Sequence, residues 1–413
     1  MASTGRIWRP CWRRLGAKPN TSLNQDDAVN AMKKVDPAVF HKLYGIKKTR
    51  IAYHRRDFLD YLLMIFLSAI AIGLSYGFDH IMSIVGLALC AFTLAAFIVR
   101  HGVEFRVPLI LKRPQDVLYM FVYKLQNLRP MYFITIGLLL LENVLIAATP
   151  NLPHHVELMR TIAFYLFYTH FISITAYRTA ILVAHLAKKE LVREVLMQTP
   201  WKRAVNEKTN ITLEIAHAYC TGLLTHIILI APWYLVISYF SFSAIFLPLV
   251  CLINVIVHWK WIIVYNAWFY RDHWVGHNSE LEFIYIHGPH HDAIPSGMIA
   301  VSGNGFLEGI TRYTLGAPTA FYNPVISFMI NMAEVAVDIK RHQYIPGVFP
   351  RLSKSFLEVF QHSIHHYGLL EPYSIGLKTD KMYTIWLDEK LTGFKWDNPI
   401  QRKILSLYDK YQK

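Results

Sequence analysis

Eight histidines fall into three groups between positions 273 and 366: His273-Trp-Val-Gly-His277, His287-Gly-Pro-His290-His291 and His362-Ser-Ile-His365-His366. Neutral imidazole is the commonest side-chain metal ligand, and it suits iron, zinc, copper and nickel alike. Positions i, i+3 and i+4 share one face of an α-helix, so His-x-x-x-His offers two imidazoles in one direction and each His-x-x-His-His offers three. A single zinc site uses three or four protein ligands. A second copy of His-x-x-His-His exceeds that need. The spacing therefore predicts a dinuclear centre held by His273, His277, His287, His290, His291, His362, His365 and His366, with no catalytic side chain beyond the metal ligands.

Two features extend this set. The segment Asn331 to Pro346 places His342 upstream of the third group, either as a ninth ligand or as a surface histidine beside Lys340 and Arg341. Metal-bound imidazoles commonly pass their second N–H to a carboxylate or a carbonyl. Asp272, Glu280, Glu282, Asp292 and Glu358 are candidates for that role, and each also reads as an ordinary solvated helix charge.

The elements that must carry these groups are apolar. The chain is 54% hydrophobic and 14% aromatic, with a mean hydropathy of +0.28. A membrane span takes roughly 20 predominantly apolar residues. Six stretches meet this, approximately 58–77, 80–99, 130–149, 161–184, 217–240 and 243–265. Lys47, Lys48, Arg50, Arg55 and Arg56 precede the first. Arg100, Arg106, Lys112, Arg113, Lys124 and Arg129 lie between the second and third, and Lys188, Lys189, Arg193, Lys202, Arg203 and Lys208 between the fourth and fifth. The opposite loops carry no Lys or Arg, so the basic segments are expected on the cytoplasmic side. Six crossings return the chain to the cytoplasm just before His273.

The expected fold class is an all-α integral membrane protein with about six transmembrane helices and a cytoplasmic helical histidine-box metal domain. Its regions are a basic cytoplasmic arm over 1–57, a membrane region over 58–265 and a catalytic region over 266–413. Residues 294–332, moderately apolar and broken by glycines, are expected to form an interfacial or re-entrant segment capping the site. The multi-pass protein would sit in a bacterial inner membrane or the endoplasmic reticulum, its metal site facing the cytoplasm.

The net charge of +14 suits cytoplasmic loops that meet anionic lipid headgroups, and it could steer an acidic redox carrier. No nucleic-acid partner is expected. The arm holds Arg6, Arg9, Arg13, Arg14 and Lys18 but no apolar core of a secretory signal. Cys11, Cys90, Cys220 and Cys251 lack C-x-x-C spacing, which argues against disulfide, iron-sulfur and zinc-ribbon frameworks. No glycine-rich phosphate loop or dinucleotide fingerprint is visible, so reducing equivalents must come from another protein. His41, His54, His80, His101, His154, His155, His185 and His217 read as loop or span-end residues. His170, His226 and His258 fall within apolar spans and read as interhelical hydrogen-bonding groups or as the lining of a substrate tunnel.

With its boxes following several membrane spans, residues 245–370 resemble the fatty acid hydroxylase / sterol desaturase superfamily of membrane di-iron enzymes. The stretch Asp338 to Pro346 resembles the sterol methyl oxidase-like members, in which an acidic residue precedes a histidine and then a tyrosine and proline; Gln343 stands where that pattern has a small residue. The resemblance implies that the eight box histidines, joined by His342, bind two iron ions, for which zinc can substitute in purified material. It implies O2 as co-substrate and a lipid substrate drawn from the bilayer: a sterol, a fatty acyl or sphingolipid chain, an alkylglycerol or a carotenoid. The electron donor would be a separate b5-type cytochrome, or a ferredoxin with its reductase. Hydroxylation or oxidation of a C–H bond is the leading expectation. Desaturation at the same centre is the alternative, and a histidine-rich metal transporter fits least, because its ligands belong inside the spans.

Overall fold

A computed structural model of the chain describes chiefly residues 58–127, 153–193, 210–239 and 269–277, with scattered positions over 136–148, at 252, 256, 279, 282, 286 and 287, and over 389–406. The expected basic arm, the segment 294–332, and most of the third and sixth spans lie outside the described residues. The described part is helical throughout. In chain order it comprises α1 (Phe58–Tyr76), α2 (Ile81–His101), α3 (Leu109–Lys112), α4 (Pro114–Asn127), α5 (Pro153–Ala187), α6 (Ile211–Tyr239) and α7 (Pro399–Ser406).

Local chemistry sets these boundaries. After α1, Gly77 adopts φ 73° and donates its N–H to the Gly73 carbonyl at 3.0 Å, a left-handed closing turn that glycine takes without a Cβ penalty. His80 caps α2, with Nδ1 accepting the Met82 N–H at 3.1 Å, and Gly102 (φ 73°) closes it onto the Ile98 carbonyl at 2.7 Å. Pro153 opens α5 at a first-turn position, where its missing N–H costs nothing. The Asn210 side chain accepts from Thr212 and Leu213 at 3.0 and 3.3 Å, capping α6.

Phe58–Tyr76, Ile81–Val99 and Ile211–Ile228 are long and apolar enough to cross a membrane. They coincide with the first and second expected spans and overlap the fifth. Helix α5 covers the expected fourth span but is not among the three, because His170, Arg178 and His185 dilute its apolar character.

Helix α6 packs against α1, α2 and α5, and α1 also packs on α2. At the crossing of α1, α2 and α6 a Cβ on Gly86 would come within 2.8 Å of Ile72 Cδ1 and 3.2 Å of Ile227 Cγ2, so the missing side chain lets three helices close together. Tyr76 ties the same crossing by donating its hydroxyl to the Ile227 carbonyl at 2.8 Å.

The bundle exposes large apolar side chains and buries several ionisable ones. Leu67, Leu74, Phe92, Val99, Ile172 and Val183 are exposed, while Asp60, His170, Arg178, Glu214, His217 and His226 are buried. Exposed apolar side chains around a largely apolar core that also holds ionisable groups are compatible with a hydrocarbon solvent. Ser68, Thr221 and Thr225 satisfy their buried hydroxyls on carbonyls of their own helices.

Candidate metal centre

Residues 269–277 are helical, which puts His273 and His277 one turn apart on one face. His287 enters from a second helical turn over 286–287. The three imidazoles are each 1% exposed, and one ring nitrogen from each lies within 4.8 Å of the others. His277 Nε2 and His287 Nε2 are 2.8 Å apart. The ring centroids of His273 and His277 are separated by 5.1 Å, those of His273 and His287 by 4.6 Å, and those of His277 and His287 by 4.4 Å. Phe269 walls one side, its ring 5.3 Å from that of His273.

The donor set fits a metal ion. Three buried imidazoles converge, each with a ring nitrogen within 4.8 Å of the others. That is the ligand number of a catalytic zinc site, and imidazole serves iron equally well.

The surroundings are charged and closed. Arg271, Asp272, Ser279 and Glu282 are fully buried and lie near the ligands in sequence, so two of the five carboxylates expected near the centre are withdrawn from solvent. Ser279 Oγ accepts the Glu282 N–H at 3.4 Å. The Ser279-x-x-Glu282 spacing is a helix-start pattern readable from sequence. Gly276 carries no sequence signal, yet a Cβ there would stand 3.1 Å from His287 Cβ.

Of the nine expected ligands, the structure brings together His273, His277 and His287. His290, His291, His342, His362, His365 and His366 lie outside the described residues, as do Glu280, Asp292 and Glu358.

The other histidines divide by environment. His80 is a cap residue whose Nε2 lies 2.7 Å from the Tyr168 hydroxyl; burial lowers its pKa, with Asp79 opposing. His217, expected at a span end, instead lies inside α6, buried and 3.0 Å from the Tyr61 hydroxyl. The correction follows from where α6 starts: the Asn210 cap sets the helix back to Ile211. His154 and His155 belong to the first turn of α5 rather than to a loop. His170 and His226 meet between α5 and α6 with nearly parallel rings, 5.1 Å between centroids.

No protein-family model matches the chain, and no curated protein or solved structure matches it.

Proposed function

We propose that this chain is a membrane-bound di-iron oxygenase that hydroxylates or oxidises a C–H bond of a lipid, in the manner of the fatty acid hydroxylase / sterol desaturase superfamily. The observation that carries the reading is the convergence of His273, His277 and His287 from two segments into one buried cluster. Two iron ions held by the histidine boxes would supply O2 activation with externally delivered electrons.

The residues of the chain do the rest. His273 and His277, fixed one helical turn apart, present two ligands without side-chain reorganisation, and His287 closes the triangle. Burial of all three keeps water from competing for the ligand nitrogens. The buried Asp272 and Glu282 are suited to hold imidazole N–H groups and fix their tautomers. Under this reading the apolar exterior of α1, α2 and α5 lies in a bilayer, the boxes face the cytoplasm, and a lipid reaches the centre from the membrane. A separate cytochrome or ferredoxin brings electrons to the basic cytoplasmic face. Loss of a second hydrogen in place of hydroxyl transfer would make the same centre a desaturase, which product analysis distinguishes.

The test is expression of wild type and His277→Ala under iron-replete conditions, followed by metal analysis and lipid profiling. Wild type is expected to hold two ions per chain and to produce oxygenated lipid, with His277→Ala losing metal and product together. A wild type without stoichiometric metal would overturn the reading; metal without a gain of oxygen or a double bond in any lipid would overturn the reaction alone.

A further inference from the structure

Gly276 sits between the two ligands of the first box. It is three residues after His273 and one before His277, so it belongs to the face that carries both. A Cβ built on Gly276 would stand 3.1 Å from His287 Cβ, 3.1 Å from His287 Cγ and 3.4 Å from His287 Cδ2. The first two atoms form the root of the imidazole, where a side chain has no slack. The ring of His287 therefore rests on the bare backbone of the helix.

Nothing in the helix itself calls for glycine here. The positive-φ glycines among the described residues are Gly77 and Gly102, and Gly276 lies inside the helical run 269–277. Alanine is the better helix former at such a position, since glycine gives up more backbone entropy. Local stability and the approach of His287 thus make opposite demands on position 276.

We propose that Gly276 is a positioning residue for the metal centre: its missing side chain sets how closely His287 can approach His273 and His277. The inference rests on the metal-binding reading above. Metal–nitrogen bonds hold their lengths to within about 0.2 Å, and the contact that alanine creates requires His287 to give way by a comparable amount. A methyl group at position 276 therefore displaces one ligand of the three while leaving the helix intact.

The experiment uses the full chain in detergent, with zinc(II) as the probe and a competing chelator to read affinity. Wild type is compared with Gly276→Ala, with the bulkier Gly276→Val, and with Gly137→Ala, where a Cβ would meet nothing within 4 Å. Zinc affinity is expected to fall by about 10-fold in Gly276→Ala, the size of loss seen when the shell around a ligand is disturbed, and further in Gly276→Val. Gly137→Ala should bind as wild type does. The zinc-free melting temperature of Gly276→Ala is expected to equal or exceed that of wild type, a sign that a glycine kept for the fold would reverse. Wild-type affinity in Gly276→Ala, or a drop in its zinc-free melting temperature, would overturn the positioning role and leave the metal-binding reading standing. A wild type that binds no zinc would overturn both.

Discussion

His170, His217 and His226 in the helical bundle are each 1% exposed, as are His273, His277 and His287 later in the chain. Among the described residues, only the second set converges on one point. In the bundle the partners are a tyrosine hydroxyl for His217 and a near-parallel ring for His226. Equal burial thus accompanies two different uses. A helix that contributes one histidine to an interface can make a pair, whereas a helix that contributes two at i and i+4 needs one more to complete a ligand triangle. Burial alone does not mark a metal site; the number of imidazoles delivered per face does.

The largest expected effect tests that distinction directly. His273→Ala should lower metal affinity by more than about 100-fold, beyond the loss typical of residues behind the ligands, while His226→Leu should leave metal content unchanged. Metal analysis of the two variants side by side reads the contrast; equal losses would erase it. A smaller effect is expected inside the bundle. Tyr61→Phe removes the hydroxyl that meets the buried His217 ring and should destabilise the protein by about 1–3 kcal/mol, measured by thermal unfolding in detergent, with no change in metal bound.

The smallest effect is a pH dependence at the end of the bundle. His80 Nδ1 accepts the Met82 N–H, so the neutral ring carries its proton on Nε2, facing the Tyr168 hydroxyl. Burial holds the folded pKa below the ordinary 6.5. The unfolded chain therefore takes up the proton first, and the contribution of His80 is complete above pH about 6.5 and lost as pH falls from there through the lowered folded value. Unfolding midpoints collected from pH 8 to 5 should show a decline that His80→Asn, an acceptor with no titration, reduces. An unchanged decline in that variant would remove His80 as its source.

The helical bundle was legible to different degrees in different helices. The first two spans read cleanly because each is an apolar run closed by a turn at glycine, and α1 and α2 follow them within two residues at each end. The fifth was read too short at its start. Glu214 and His217 look like the polar margin of a span, yet both are buried because α1 and α5 cover that part of α6. The fourth expected span, a predominantly apolar run over 161–184, lies within α5, where the polar residues facing α6 lower its apolarity below that of its neighbours. A hydropathy window sums over all sides of a helix; it cannot register that the polar residues share one side.

The histidine spacing, the apolar runs and the capping residues are properties of short segments, and sequence alone determined them: backbone periodicity already fixes which residues share a face. That is why His273 and His277 could be paired before any fold was known. The sequence names His287 as a further ligand but cannot place it: ten residues separate it from His277, no local period spans that gap, and the tertiary structure alone brings the two Nε2 atoms to 2.8 Å. The tertiary structure likewise decided that Gly276 leaves room for His287, that Gly86 lets three helices meet, and that His226 pairs with His170 instead of a metal-binding triad. Each of these depends on the distance between backbones brought together from separate segments, which packing sets and sequence spacing does not.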